Sequence, residues 1–215
     1  MREHRRVWFL TSNKGKFREA QAVATASGLQ LQMLAAPKIE IQSDNLSEIA
    51  SYGAQEAAKR LGIPVVAEDA GLFIRSLNGF PGPYSSDVFK RLGNKGILKL
   101  MEGVSKRNAK FSSVAAFCTP RGKPRCFTGS VFGHIGLHPR GVSGFGFDPI
   151  FTPTKGDGRT FAQMTVREKN RSSHRAASFK KISKWLLTVQ ADWLETPLAR
   201  DAAQNRPGSL RERLK

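Results

Sequence analysis

Four segments of this 215-residue chain hold residue types whose order could do chemistry. The first is Thr11-Ser12-Asn13-Lys14-Gly15-Lys16, between a short apolar run and a helical pattern. Backbone N–H groups of a helix start, the helix dipole and two lysines meet there, which suits a polyphosphate. The Gly-x4-Gly-Lys-Ser/Thr spacing of a Walker loop is absent. An ordinary capped helix start with solvated lysines fits the same residues. The second is Glu68-Asp69, at the end of an apolar strand and before a tight turn expected through Gly71. Open α/β sheets take ligands at the carboxyl ends of strands, so a carboxylate pair there can hold Mg²⁺ and accept a proton from water. Glu40, between Ile39 and Ile41, is a further carboxylate on an apolar segment. A surface turn is the competing reading.

The third segment is Gly144-Phe145-Gly146-Phe147-Asp148-Pro149. Its rings can stack a base while Asp148 bonds a ring N–H, and core phenylalanines on a glycine-marked strand are the alternative. The fourth, Glu168-Lys169-Asn170-Arg171-Ser172-Ser173-His174-Arg175, opens a helix and is rich in donors, fit for phosphate or acceptor atoms of a base. A solvated helix start is the alternative. Basic residues sit unfavourably at the positive end of a helix dipole, and that mismatch points to an anionic or acceptor-rich partner.

These segments need elements to position them. Arg6 to Thr11 reads as a strand, and Phe17, Ala20, Val23 and Ala24 lie at helical spacing before Gly28 as a stop. Gln30 to Leu34 alternates as a strand. Asn45 with Glu48 resembles a capping box for a helix to Leu61, closed by Gly62 and Pro64. A buried-type strand over residues 64–67 follows, then a separate strand over Leu72 to Leu77 and a helix from about Ser86 to Met101. Phe111 to Cys118 and Arg125 to Phe132 flank Thr119-Pro120-Arg121-Gly122-Lys123-Pro124, a hairpin signal that suggests a second lobe. Ser172 or Ser173 caps a helix bearing Phe179, Ile182, Leu186 and Val189. The expected class is α/β with a mixed sheet, one domain over residues 1–195 and a polar, mobile tail over 196–215.

Lys plus Arg number 35 against 17 Asp plus Glu, a net charge of +18. The excess rises from +2 in residues 1–50 to +8 in 151–215. A basic balance fits nucleic acid, an anionic small substrate or solubility. No repeat, zinc-ligand spacing or base-stacking RNP-like segment accompanies it. Apolar stretches of four or five residues are far short of the roughly 18 to 20 of a membrane span, and too short for a secretory core. A cytoplasmic protein is expected, with no membrane and no specific nucleic-acid partner. Cys118 and Cys126 cannot form a disulfide framework. They are expected as reduced, partly buried thiols near the base of the hairpin, where they face each other.

Taken in order, the segments resemble the inosine triphosphate pyrophosphatase family, over roughly residues 6 to 190. The resemblance rests on FLTSNKGKFREAQ at 9–21, IEIQSDNLSEIA at 39–50, VVAEDAGLFIRSLNGFPGPYSS at 65–86, GFGFDPIF at 144–151 and TFAQMTVREKNRSSHRAA at 160–177. It implies a two-lobed α/β fold with a long mixed sheet, flanking helices and a central cleft, a homodimer, and Mg²⁺-dependent hydrolysis of non-standard purine triphosphates (ITP, dITP, XTP) to the monophosphate and pyrophosphate. By the same resemblance Thr11, Asn13 and Lys16 bind the phosphates, Ser12 and Ala70 belong to the substrate-binding set, Glu40 and Asp69 hold the metal, and Asp69 accepts the proton of the attacking water. Phe145, Gly146, Phe147, Asp148, Lys169, Ser173, His174 and Arg175 line the base pocket, with Phe145 as the stacking ring. Three positions depart from the family pattern: Ala70 replaces a common Ser, Gly53 a phosphate-contacting Lys and Gln163 a Glu.

Donor logic then sets selectivity. Hypoxanthine and xanthine present O6 as an acceptor where adenine presents an amino donor, so Arg175 and nearby backbone N–H groups lose partners against adenine. The rival readings are a pyrophosphatase for other modified bases, pyrimidines included, and a non-catalytic nucleic-acid-binding module motivated by the charge.

Overall fold

The computed structural model describes residues 5–189. The expected tail over 196–215 lies outside the described residues. The chain runs β1 (Arg5–Leu10), α1 (Lys14–Ala26), β2 (Leu29–Leu34), α2 (Leu46–Leu61), β3 (Val65–Ile74), β4 (Pro81–Gly82), α3 (Ser85–Leu100), β5 (Asn108–Cys118), β6 (Arg125–Ile135), β7 (Phe151–Pro153), α4 (Val166–Lys169) and α5 (His174–Thr188). The strands form one mixed sheet in the order β2-β1-β3-β5-β6-β7, with β4 on β3. β1 is parallel to β2 and β3, whereas β3, β5, β6 and β7 pair antiparallel. This is the expected α/β class with a mixed sheet and flanking helices. No described helix is long and apolar enough to cross a membrane.

Strand alternation sorts the core into layers. Val7 and Phe9 of β1 and Val66 of β3 face α1 and α5, where they meet Ala20, Val23, Phe179 and Ile182. Leu10, Val65 and Ala67 face the opposite side and pack on Ala50, Ala54, Ala57 and Leu61 of α2. Beyond them Leu72, Ile74, Phe111, Phe151 and Phe161 build a third cluster with Ile97 of α3. The chain leaves β1 in one direction to reach β2 and returns past it to β3. A crevice therefore opens between the carboxyl ends of β1 and β3, the switch point where open α/β sheets take ligands.

Helix ends follow local chemistry. Asn13 caps α1 by accepting the Lys16 N–H, and Ser173 caps α5 by accepting the Ala176 N–H. At α2 the expected capping box does not close. Asn45 accepts from the Ser47 N–H, while Glu48 takes the Ser43 hydroxyl instead. Gly62, at φ 70°, ends that helix in the left-handed region. α3 is interrupted at Gly93, with φ 59° and ψ −165°.

Three expectations are corrected. No turn occurs at Gly71, and Leu72 to Leu77 is not a separate strand. β3 runs unbroken to Ile74 and a 3₁₀ turn occupies Arg75–Leu77, because β5 pairs with β3 residue by residue from Val65 to Ile74. The cysteines do not face each other. Cys118 lies opposite Val65 and is buried, whereas Cys126 lies opposite Ala116 and is exposed, with its Sγ 2.9 Å from Ser51 Oγ.

The glycine at 71 serves close approach, not a turn. A Cβ there would stand 2.1 Å from the Gly82 carbonyl oxygen, so β4 can dock only against a bare backbone. Gly71→Ala is expected to cost about 3 kcal/mol through overpacking, a fall of roughly 6 to 12 °C in Tm for a chain of this size. Thermal denaturation of the variant measures it, and an unchanged Tm would contradict the docking.

Candidate functional site

The crevice at the switch point is a cleft of about 880 Å³, a size suited to a small-molecule ligand. Thr11, Ser12, Asn13, Lys16, Glu40, Asp69, Ala70, Phe145, Gly146, Phe147, Asp148, Lys169, His174 and Arg175 all line it. The four segments picked out by residue chemistry therefore meet in one place. Ser173 is the exception: its hydroxyl is spent on capping α5, and it is not part of the lining. Phe147 lines the cleft but is mainly core, edge-on to Phe89 with ring centroids 5.3 Å apart.

The floor of the cleft is a chain of charges, buried except for Lys16, whose side chain is 22% exposed. Lys16 Nζ stands 2.9 Å from Glu68 Oε2, an ion pair outside hydrogen-bond alignment. Arg175 donates to Glu68 Oε1 at 3.1 Å and to Glu19 Oε2. Lys169 donates to Glu19 Oε1 at 2.7 Å and to Asp148 Oδ2 at 2.6 Å. Asp148 in turn accepts the Phe145 N–H at 2.9 Å, fixing the aromatic loop. Three carboxylates thus match three cations. Burial opposes ionisation of Glu68, but Arg175 and Lys16 outweigh it and hold the carboxyl well below the usual range. Arg175 and Lys169 do the same for Glu19. Burial prevails at Asp148 and raises its pKa despite Lys169.

Neighbouring carboxylates on β3 have separate duties. Glu68 shares the face of Val66 and points to α1 and α5, whereas Asp69 shares that of Ala67 and points to the α2 side. They are therefore not a pair on one ion. Burial pushes the Asp69 carboxyl up to about 6, against the pull of Lys38 and Lys16. Its Oδ2 is buried without a hydrogen-bond partner. Glu40 lies nearby on the same rim, and both carboxylates approach Lys38 Nζ, at 2.8 Å from Glu40 Oε1 and 3.8 Å from Asp69 Oδ1. Two hard carboxylates, one with an orphaned oxygen, fit the donor set of Mg²⁺, which takes one or two protein carboxylates and completes its shell with phosphate and water.

At the other end Phe145 is backed by Lys169 and Arg175, whose charged groups lie 5.1 and 5.5 Å from the ring centroid. A Cβ on Gly15 would come within 2.5 Å of that ring, so only glycine lets Phe145 rest on the start of α1. His174 stacks on Phe111 at 4.7 Å and 12°, with Nδ1 buried and unpartnered. Burial, with Arg175 and Lys169 nearby, keeps its pKa well below the ordinary histidine value, so the ring is neutral. Gln163 closes a capping box with Thr160, a duty an amide performs as well as a carboxylate.

Sequence reasoning missed Glu19, Lys38 and Phe111. A signal existed for Glu19, since it occupies the apolar stripe of α1 at i+3 from Lys16 and i−4 from Val23. Nothing in the linear pattern marks Lys38.

Glu19→Gln leaves Arg175 and Lys169 buried beside an uncharged partner. A loss of about 3 kcal/mol is expected, read as a lower unfolding midpoint in urea at neutral pH; an unchanged midpoint would remove Glu19 from this role.

Comparison with known proteins gives the family and the fold. The model of the Ham1 family matches residues 7–185. A dITP/XTP pyrophosphatase of Methanopyrus kandleri is 48% identical over 180 residues, 84% of this chain and 95% of that protein. One from Thermococcus kodakarensis is 47% identical over 181 residues, 84% and 97% of the two chains. Among solved structures, a HAM1 protein from Coxiella burnetii superposes with a TM-score of 0.75 at 30% identity, covering 86% of this chain and all of that one. With matching sequence, matching fold and the site segments in one cleft, the chain belongs to the Ham1 family.

Proposed function

We propose that the protein hydrolyses non-standard purine nucleoside triphosphates, dITP, XTP and ITP, to the monophosphate and pyrophosphate. The observation that carries this reading is the buried Asp69 carboxylate, whose Oδ2 has no hydrogen-bond partner, in a cleft lined also by the α1 start, Phe145 and a neutral His174. The names of the relatives from Methanopyrus kandleri and Thermococcus kodakarensis support it.

Glu40 and Asp69 would hold Mg²⁺, which when bound neutralises phosphate oxygens and lowers the pKa of water. The opening turn of α1 and Lys16 receive the polyphosphate. Asp69 takes a proton from the attacking water as its oxygen bonds to the α-phosphorus. The bond from that phosphorus to the bridging oxygen breaks, and pyrophosphate leaves with the electron pair. Charge builds on the phosphoryl oxygens and the leaving group, facing Lys16 and the helix N-terminus. Phe145 supplies a stacking face, while His174 and Arg175 offer donors that suit O6 of hypoxanthine and xanthine and clash with the amino group of adenine. A homodimer and a cytoplasmic location belong to the same reading. The homodimer rests on the family resemblance, the location on the short apolar stretches of the sequence, and the two free cysteines accord with a reducing compartment.

Pyrophosphate release in the presence of Mg²⁺ tests the assignment. ITP, dITP and XTP are expected to exceed ATP in kcat/KM by at least about a hundred-fold, and equal rates would contradict the pocket. Asp69→Asn is expected to lower kcat by roughly 10² to 10⁴ with the far-UV spectrum retained. Near-normal turnover would sink the proton-acceptor role, and salt-sensitive nucleic-acid binding without any hydrolysis would favour the rival binding module.

The neutral His174 gives a pH signature. Its native pKa is depressed, so below about 6.5 the unfolded chain takes up a proton that the native state refuses, and stability falls with pH by about 1.4 kcal/mol per unit from this group. His174→Phe keeps the stack on Phe111 and removes that proton uptake. Urea unfolding from pH 7.5 to 5 should show the wild type losing stability relative to the variant. Parallel curves would mean that His174 is charged in the native state.

A further inference from the structure

Lys38 takes no part in the mechanism above, yet its ammonium sits where the two metal-binding carboxylates converge. Nζ lies 2.8 Å from Glu40 Oε1, 3.2 Å from the Glu68 carbonyl oxygen and 3.8 Å from Asp69 Oδ1. Its side chain is only 14% exposed, so this is a seated group and not a surface lysine sampling solvent. The path of its stem depends on α2. A Cβ on Gly53 would meet Lys38 Cε at 3.0 Å and Cγ at 3.5 Å, so the absent side chain at 53 leaves the channel through which Lys38 crosses the helix.

We propose that Lys38 is an exchangeable counter-ion of the site. In the free protein its ammonium neutralises Glu40 and Asp69 and competes with a divalent cation for them. When the metal arrives with the nucleotide, the ammonium transfers to the phosphate oxygens, making Lys38 a substrate-positioning residue. Two cations cannot share so small a cluster of oxygens without strong repulsion. A binding-competent state that is only partly populated weakens apparent affinity by that fraction. The exchange keeps bare metal loosely bound and favours entry of the metal–nucleotide complex. It also supplies a phosphate-facing cation from the loop before α2, although position 53 of the helix carries none.

This inference rests on Glu40 and Asp69 as metal ligands, and the experiment separates the two. Mn²⁺ binding without nucleotide is followed by electron paramagnetic resonance of the free ion, in the wild type, Lys38→Met, Asp69→Asn and Lys90→Met. Lys90 lines the same cleft and acts on Glu40 only at a distance, without an ion pair to either carboxylate, so it reports the effect of a nearby charge without contact. Lys38→Met is expected to bind Mn²⁺ at least ten-fold more tightly than wild type, with Lys90→Met changing less than three-fold. Lys38→Met should also raise KM for ITP with Mg²⁺ several-fold while kcat stays within about two-fold, a split that loss of structure would not produce. Equal Mn²⁺ affinity in wild type and Lys38→Met, an equal gain in Lys90→Met, or a KM that falls overturns the exchange while leaving the metal site intact. Mn²⁺ binding that survives Asp69→Asn unchanged, or that none of the proteins shows, overturns the metal assignment and the exchange with it.

Discussion

The arrangement of the cleft depends on one buried set of ion pairs, Lys16–Glu68–Arg175–Glu19–Lys169–Asp148. Charges removed from water are tolerated only when each has a close opposite partner, and removing one leaves the next uncompensated. Here that demand ties four parts of the chain together. α1 contributes Lys16 and Glu19, β3 Glu68, the aromatic loop Asp148, and the α4–α5 region Lys169 and Arg175. The network is the floor on which Phe145 rests and the reason the helix starts of α1 and α5 meet.

With the floor neutral, the ligand-facing charge is left to other groups. Strand alternation turns Asp69 away from Glu68 and into the neighbourhood of Glu40 and Lys38. The two consecutive acids thus separate into one ion-paired with both Arg175 and Lys16 and one that is buried with an oxygen left without a hydrogen bond. A raised pKa on Asp69 beside a depressed one on Glu68 is the electrostatic expression of that separation. The +18 excess takes on a narrower meaning in this light. The cations nearest the chemistry, Lys16, Lys169 and Arg175, already have carboxylate partners, so they orient and polarise more than they attract. Much of the remaining charge lies elsewhere on the chain and explains none of the site.

Most of the fold was legible because its signals are local. The strand, helix and hairpin expectations rested on periodicity and on helix-end signals such as Gly28, Gly62 and Ser173, which act within a few residues. The misread stretch, residues 71 to 77, carries a glycine that resembles a turn in one dimension. Its purpose is decided by Gly82, a partner eleven residues away, whose carbonyl fills the space of the missing side chain. The cysteines failed for a similar reason. Register in the hairpin is set by pairing across the whole of β5 and β6, and it offsets Cys118 from Cys126.

For the site, the sequence by itself determined the residue types, their order and, through the motifs at 9–21, 65–86, 144–151 and 160–177, the family. A helix start after a strand, an acid at a strand end and a donor-rich helix start are legible without a partner, because each is a short-range pattern. Which oxygen is left without a hydrogen bond, which base pairs with which acid and which lysine sits between Glu40 and Asp69 were decided only by the tertiary structure. Glu19 and Lys169 are 150 residues apart. The stem of Lys38 passes close to Gly53, where a Cβ would stand 3.0 Å from its Cε. Charge compensation and close packing act between surfaces, so they become visible only when the sheet has brought those surfaces together.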